Sequence, residues 1–472
     1  MEDFMTKVVS MPGRCIDSVA SHQCSCCKGK SEASNSETKA KPSQRGIKRE
    51  KSPPPPRRSS MRLKKLEPSG TPLPVEPEPV ELKDEHARPP AGPLGMSDRL
   101  YGNTDIGHCN RLREKIEHFS DTKAKVIRGQ QAKSTLDSYI KSMAKTKLTS
   151  DRVAKVVPDR VFSVAIHPTR DKVLVAGGGK WGAVGLWDVD DIEDDQQGVV
   201  TLVPHSRPVN HLIFPTWHQD RLYSCSYDGS LRCAHFDRGV FEEVYSAPVD
   251  EYLLLRNFEC LNVDSLLVGQ SDGSVAMVDR RTPGTEAESL YSLHRKPLRT
   301  VSVHPVQKDY FITSCADGNV SLWDIRNLKS GMKKNNSSIV DLHHGKGVNS
   351  AYFSPITGNF ILTTSMDDKL SVFDSSSLTT KIPLKKAIRH NNYTGRWLTV
   401  FRAVWHPARE DIFVVGSMER PRRIEVIDLT GNLVHTFDDE EYLGSVCSQN
   451  AFHPTRPVVV GGNSSGRLHV FM

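Results

Sequence analysis

The sequence predicts an all-β fold, a seven-bladed β-propeller, from three observations. A short apolar strand ending near His-Pro recurs between residues 151 and 472, as in 161–168 (VFSVAIHP), 298–305 (LRTVSVHP) and 446–454 (VCSQNAFHP). Each copy is followed by a second apolar run, a turn containing Asp, Gly or Asn, and a third alternating strand. The third strands end at Asp188, Asp237, Asp279, Asp324, Asp374, Asp428 and Phe471, at intervals of 49, 42, 45, 50, 54 and 43 residues. A unit of this size cannot bury its apolar faces alone, and stacking such units side by side into a ring buries them.

A period in the forties, with several alternating strands per unit, is the signature of a WD-repeat propeller, and seven units are counted over 151–472. The remaining first strands are 209–215, 348–355 and 401–407, with a degenerate copy at 253–260. The seventh unit stops at Met472, just after its third strand, whereas a blade needs four. An unpaired edge there would leave the ring open. The predicted closing strand is 152–157 (RVAKVV), paired with 467–471 (RLHVF).

Ahead of the propeller, residues 1–108 are rich in Pro, Ser, Glu and Lys, with runs such as 48–65 (KREKSPPPPRRSSMRLKK) and 68–81 (PSGTPLPVEPEPVE). Such composition buries too little apolar surface to offset the entropy of ordering, so a disordered basic tail is expected. Residues 1–150 hold 28 Lys+Arg against 18 Asp+Glu, or +10, which leaves 151–472 with 35 against 38, or −3. The run from Lys48 to Lys65 reads either as a solvated linker or as a nuclear-import or nucleic-acid patch. Segments 109–119 and 133–147 are helix-compatible, with Leu112 and Ile116, then Leu136, Tyr139, Ile140 and Met143, at helical spacing. We read 109–150 as a helical docking segment, packed on the propeller or, preferably, offered to a partner groove. No run approaches 18 apolar residues and no apolar signal-peptide core opens the chain, so a soluble, intracellular protein with no membrane partner is expected. The ten cysteines suit reduced thiols, and the cluster Cys24, Cys26, Cys27 lacks paired zinc-ligand spacing, so no metal is expected.

The loops expected on one face carry Arg160, Arg207, Arg295 with Lys296, Arg299, Lys346, Arg389 and Arg396. The turns between second and third strands add Lys180 beside Trp181, Lys369, Arg420, Arg422, Arg423 and Arg467. The acidic runs 188–195 and 438–441 are assigned to the opposite face. A cationic rim on a domain of charge −3 points to a phosphate backbone, although wet loops hold Lys and Arg in any case. Loop 385–401 is longer than its counterparts and mixes Arg389, His390, Asn391, Asn392, Tyr393, Arg396 and Trp397. Cations, amides and aromatics on one hairpin suit stacking on bases, or the two aromatics plug the loop onto its blade. No catalytic constellation is present: 177–180 (GGGK) lies in a strand turn without a following helix, and the His-Pro histidines recur as fold positions. No enzyme activity and no cofactor are expected.

Six stretches add specificity: 159–168, 178–189, 278–285, 388–405, 414–426 and 453–471, with a trace at 57–74. On these the chain resembles the WD-repeat family shared with the small subunit of the damage-specific DNA-binding complex. The resemblance implies a nuclear propeller that binds double-stranded DNA on its narrow face and hangs from a cullin-4 ubiquitin ligase through that ligase's β-propeller adaptor. Residues 311–326 (FITSCADGNVSLWDIR) are similar to the box of such substrate receptors, with Trp323, Asp324 and Arg326 at its close; Asp279 and Arg281 repeat it one blade earlier. Asp-x-Arg also stabilises a strand corner without any partner. In the damage-binding relative a helix-loop-helix inserts into the adaptor, which assigns Leu136, Tyr139 and Ile140 to docking. This chain departs from that relative by carrying Asn391, Asn392 and Tyr393 where a Phe-Gln-His wedge is expected, which argues against lesion extrusion; the resemblance implies a reader of damaged or modified DNA, such as 5-hydroxymethylcytosine. The competing expectation is a chromatin-associated scaffold that binds proteins or histone tails without touching DNA.

Overall fold

The computed structural model describes residues 87–121, 135–191, 198–248, 253–331 and 336–472. Within them, seven antiparallel sheets form the blades of a propeller, each running from an innermost strand a to an outer strand d, consecutive in sequence in every blade but the last. Blade 1 is Val161–Ile166, Leu174–Gly179, Val184–Asp188 and Val199–Leu202, and blade 2 begins with Val209–Ile213. Blades 3 to 5 begin with Leu255–Cys260, Leu298–Val303 and Val348–Phe353. Blade 6 opens with the two-residue strand Val404–Trp405, and blade 7 with Cys447–Phe452. Strands b and c are apolar on both faces because neighbouring blades cover them, as the fully buried Phe311, Ile312, Val320 and Leu322 of blade 4 illustrate.

The ring closes as expected from the sequence. Val153–Lys155 pairs antiparallel with Arg467–Phe471, in the register Val153↔His469, Ala154↔Leu468, Lys155↔Arg467. The fourth strand of the last blade therefore comes from the residues preceding the first.

Part of the segment expected to be disordered is ordered. Residues 1–86, with the basic run and the Cys24 cluster, lie outside the described residues, but 87–108 pack on the propeller. Leu94–Gly95 adds a fifth strand to blade 2 against Val240 and Phe241. Arg88 donates to the Asp228 carbonyl at 2.7 Å and the Ala247 carbonyl at 2.8 Å. Behind this segment the fully buried Arg232 pairs with Glu243 at 2.7 Å and reaches the Pro90 carbonyl at 3.1 Å. A buried guanidinium needs such partners, and residues 88–96 supply both acceptors and cover.

Both helices turn their apolar sides to the propeller. Ile106–Asp121 buries Cys109, Leu112 and Ile116 among Leu174, Leu186, Phe236 and Phe241 of blades 1 and 2. Leu136–Met143, whose Thr135 side chain accepts from the Ser138 N–H, buries Met143 completely. Its Leu136, Tyr139 and Ile140 rest on Ile412, Val426, Phe437 and Phe471 of blades 6 and 7. The Tyr139 hydroxyl meets His406 Nε2 at 2.9 Å, and burial pushes its pKa well up. This corrects the expectation that Leu136, Tyr139 and Ile140 face a partner groove: the outer edges of blades 6 and 7 need cover, and the helix provides it.

The His-Pro histidines tie blade corners together. His167 Nε2 lies 2.8 Å from the Gln219 carbonyl and His453 Nε2 2.8 Å from the Thr169 carbonyl, each bond crossing to the next blade. Blade 4 adds an internal chain in which Trp323 Nε1 donates to Thr313 Oγ1 at 2.8 Å while His294 Nε2 lies 2.7 Å from the same hydroxyl. Trp323 is 2 % exposed. Its assignment to adaptor docking is therefore corrected: the indole holds strands b and c to the preceding loop and reaches no surface.

Candidate nucleic-acid interface

In an up-and-down blade the strand ends alternate, so the d-to-a connections and the b-to-c turns share one face. The connections carry Arg160, Arg207, Arg295, Lys346, Arg389 and Arg396; the turns carry Lys180, Trp181, Lys369, Arg420 and Arg467. Arg295, Lys296, Lys346, Lys369, Arg389, Arg396, Arg420 and Arg467 are exposed. Arg160, Lys180, Trp181 and Arg207 are half-buried, with Lys180 Nζ 4.2 Å from the Trp181 ring centre. Arg299 sits inside strand a of blade 4, away from the rim. The acidic run 438–441 is corrected: Asp438 ends strand d of blade 6 opposite Arg423, so it opens a d-to-a connection on the cationic face. In the other run Asp188 ends strand c of blade 1 and 189–191 follow it on the opposite face, while 192–195 are outside the described residues.

Loop 390–403 dominates this face, and its side chains divide into anchors and probes. His390 and Asn392 are anchors, 7 % and 4 % exposed, which corrects their assignment as DNA contacts. Asn392 Nδ2 donates to the Ser365 carbonyl at 2.8 Å and to the Lys369 carbonyl at 3.2 Å. Its backbone N–H reaches Asp368 Oδ1 at 2.9 Å, and its Oδ1 lies 2.7 Å from His390 Nδ1. Asp368 adopts φ 60°, the left-handed turn geometry that presents its carboxylate and carbonyl to the loop. At the far end Thr399 Oγ1 donates to the Val161 carbonyl at 2.6 Å. Arg160 Nη1 donates to the carbonyls of Arg396 at 2.9 Å and Leu398 at 3.2 Å, and burial lowers the pKa of this guanidinium. Arg160 thus holds the loop from beneath. Between the clamps Gly395, at φ +59°, turns the chain so that Tyr393 and Trp397, each 78 % exposed, project with Arg396 and the exposed Asn391. The plug reading of the two aromatics fails on this exposure.

On the opposite face the two Asp-x-Arg corners are alike. Arg281 Nε donates to Asp279 Oδ1 at 3.0 Å, and Arg326 Nε and Nη2 donate to the two Asp324 oxygens at 2.9 and 2.8 Å. The bonds from Arg281 hold the Asp279 carboxyl at about 2, and those from Arg326 lower that of Asp324. Both guanidinium groups stay exposed while the carboxylates are shielded. Arg281, held by its inner edge, presents its outer edge to whatever docks there, whereas Arg326 Nη1 also pairs with the exposed Asp309 at 3.2 Å.

A family model described as WD domain, G-beta repeat, matches residues 287–324, the stretch that contains His294, Thr313 and Trp323. WD repeat-containing protein 76 of Xenopus laevis is 47 % identical over 437 residues, covering 90 % of this chain and 73 % of that protein. The chain belongs to the WD repeat-containing protein 76 family. The namesake of Rhinolophus ferrumequinum is 44 % identical over 88 % of this chain, which spans 65 % of that relative's length. A more distant relative, DNA damage-binding protein CMR1 of Phaeosphaeria nodorum, is 29 % identical over 67 % of this chain and 66 % of its own.

Reading the sequence of this WD repeat-containing protein 76 family member misses Asp368, Thr399 and the anchoring role of Arg160. An Asp-Asp pair in a strand turn was the available signal for Asp368. The other two act through backbone carbonyls more than 200 residues away, for which a sequence carries no mark.

Proposed function

We propose that this chain is a nuclear, non-catalytic DNA-binding protein that grips double-stranded DNA with the cationic face, connected with the response to DNA damage or to modified cytosine. The observation that carries the reading is loop 390–403, clamped at both ends and projecting Tyr393, Arg396 and Trp397 above exposed Arg389, Arg295, Lys346 and Arg420. Guanidinium and ammonium groups neutralise phosphates, and the aromatic pair supplies faces for bases. The name of the CMR1 relative, DNA damage-binding protein, supports the same reading. On the far face, exposed Arg281 and Arg326 support docking on the β-propeller adaptor of a cullin-4 ubiquitin ligase, with the chain as substrate receptor.

Binding to short duplexes over a salt series tests the first half. A steep negative log–log slope, reduced in Arg389→Glu/Arg396→Glu, is expected; a slope near zero that the substitutions do not alter overturns it. Comparison of plain, damaged and hydroxymethylated duplexes ranks the preferred DNA. Co-purification with the adaptor, lost on joint Arg281→Ala and Arg326→Ala, tests the second half. A second reading, a chromatin scaffold for histone tails, is favoured by exposed Asp438, Glu440 and Glu441 on the cationic face, which suit a basic peptide. Peptide binding that survives loss of DNA binding would select it.

A further inference from the structure

Arg256, Arg299 and Arg402 come from three blades, each in or just before strand a, the strand that lines the central channel. In six blades the pairing of strand a with strand b skips one residue near the start of strand a: Phe162, Asn210, Arg256, Arg299, Asn349 and Ser448. A residue left out of the ladder in this way is re-aimed by the bulge. Arg402 stands two residues before the short strand a of blade 6. Its Nη1 donates to the Asn210 carbonyl at 3.1 Å, joining blades 6 and 2, which are not neighbours and meet only across the axis. Arg256 Nη1 donates to the Tyr227 hydroxyl at 2.5 Å with its guanidinium 4.6 Å from that ring centre. Burial, then Arg256 and later Arg402, lower the pKa of Arg299, which therefore feels the charge of both.

The same ring of positions holds buried polar atoms whose hydrogen-bonding capacity is unused. Asn349 is 2 % exposed and neither its Nδ2 nor its Oδ1 has a partner among the described residues; Ser448 Oγ, in a fully buried residue, is in the same position. Buried polar groups are rarely left so. Glu259 lies three residues further along the Arg256 strand, and its charge acts on Tyr352 against that of Arg402, so part of the positive charge is offset.

We propose that the mouth of the channel is an oxyanion site that takes one phosphate group, in the form of a phosphomonoester. Arginine forks match phosphate oxygens, while the Asn349 amide and the Ser448 hydroxyl complete the set. A monoester carries more charge than a backbone diester and so suits three converging cations better. The channel is ringed by the innermost strands of the blades, which leaves no way in for the continuous backbone of a duplex. The phosphate therefore comes from a strand end or from a free small molecule. The strand-end source rests on the DNA reading above; the free source does not.

The test compares melting midpoints of the full chain in inorganic phosphate and in chloride at matched ionic strength. It then compares binding of 5′-phosphorylated and 5′-hydroxyl single strands. Phosphate is expected to raise the midpoint above chloride, and Arg402→Met and Asn349→Leu to abolish the gain, whereas Arg396→Glu on the rim leaves it intact. A strand-end source further predicts that the 5′-phosphate tightens binding about tenfold. A phosphate gain without a 5′-phosphate preference assigns the free source. A phosphate gain that persists when duplex binding is absent sinks the DNA reading and leaves this site standing. Equal midpoints in phosphate and chloride for the unsubstituted chain overturn the proposal whether or not the variants fold, as does a gain undiminished in both variants.

Discussion

Asn392 spends its amide on two carbonyls of the blade 5 turn and its carbonyl oxygen on His390, in a loop whose tip is exposed. Asn392→Ala leaves those buried groups unpaired, so a stability loss of about 1–3 kcal/mol is expected in chemical denaturation. DNA affinity should fall with it, because the aromatic tip is no longer held. Tyr393 and Trp397 should behave in the opposite way. With 78 % of each exposed, Tyr393→Ala and Trp397→Ala are expected to leave the melting midpoint unchanged while each weakens single-strand binding by about 1–3 kcal/mol where it stacks on a base. A midpoint that falls with affinity would return both residues to a packing role. At the far corner, Arg281 keeps the Asp279 carboxyl at about 2. The folded value lies below the ordinary one, so this contact stabilises the fold above the usual carboxylate range and is lost as pH falls towards 2. Carbon NMR of Asp279 in Arg281→Ala should show the carboxyl titrating near its ordinary value.

At the scale of elements, two additions from before the first blade complete the propeller. The helix Leu136–Met143 contributes a fully buried Met143 to the cluster of blades 6 and 7. Met143→Ala is expected to cost about 2–5 kcal/mol by urea titration, whereas a helix held only by a partner would show almost none of that loss in the isolated chain. The strand Val153–Lys155 is short, but it covers the edge of Arg467–Phe471. A chain started at residue 156 is expected to melt lower and to self-associate through that edge, read as a concentration-dependent elution shift. A chain started at residue 87 should do neither.

The whole molecule carries a pH signature in its repeated histidines. Burial brings His167, His304, His453 and His469 down to about 4, and His211 and His406 to about 3. The unfolded chain binds these protons near the ordinary value of 6.5 and the folded chain does not, so stability is fully present above 6.5 and is lost as pH falls towards about 4. Melting midpoints should therefore be level above neutrality and decline steeply below it. A flat profile from pH 7 to 4.5 would show that the corners tolerate charge. No helix among the described residues is long and apolar enough to cross a membrane.

Much of this architecture is legible in the amino-acid order, because a repeat writes the same local pattern seven times. The number of blades, the borrowed closing strand and the face shared by Arg160, Arg295, Lys346 and Arg389 all follow from strand order and alternation, which are properties of neighbouring residues. Contacts between distant residues are not. Trp323 could read as surface or interior until Thr313 and His294 closed around it, and the apolar stripe of Leu136, Tyr139 and Ile140 is the same whether it covers its own blades or another protein. The acidic run at 438 changed faces because it leads from strand d of blade 6 into strand a of blade 7, and the end at which a loop leaves its strand decides its side of the ring. Within one loop of similar polar residues, only folding separated buried Asn392 from projecting Trp397, and only ring closure brought Arg256, Arg299 and Arg402 to one opening.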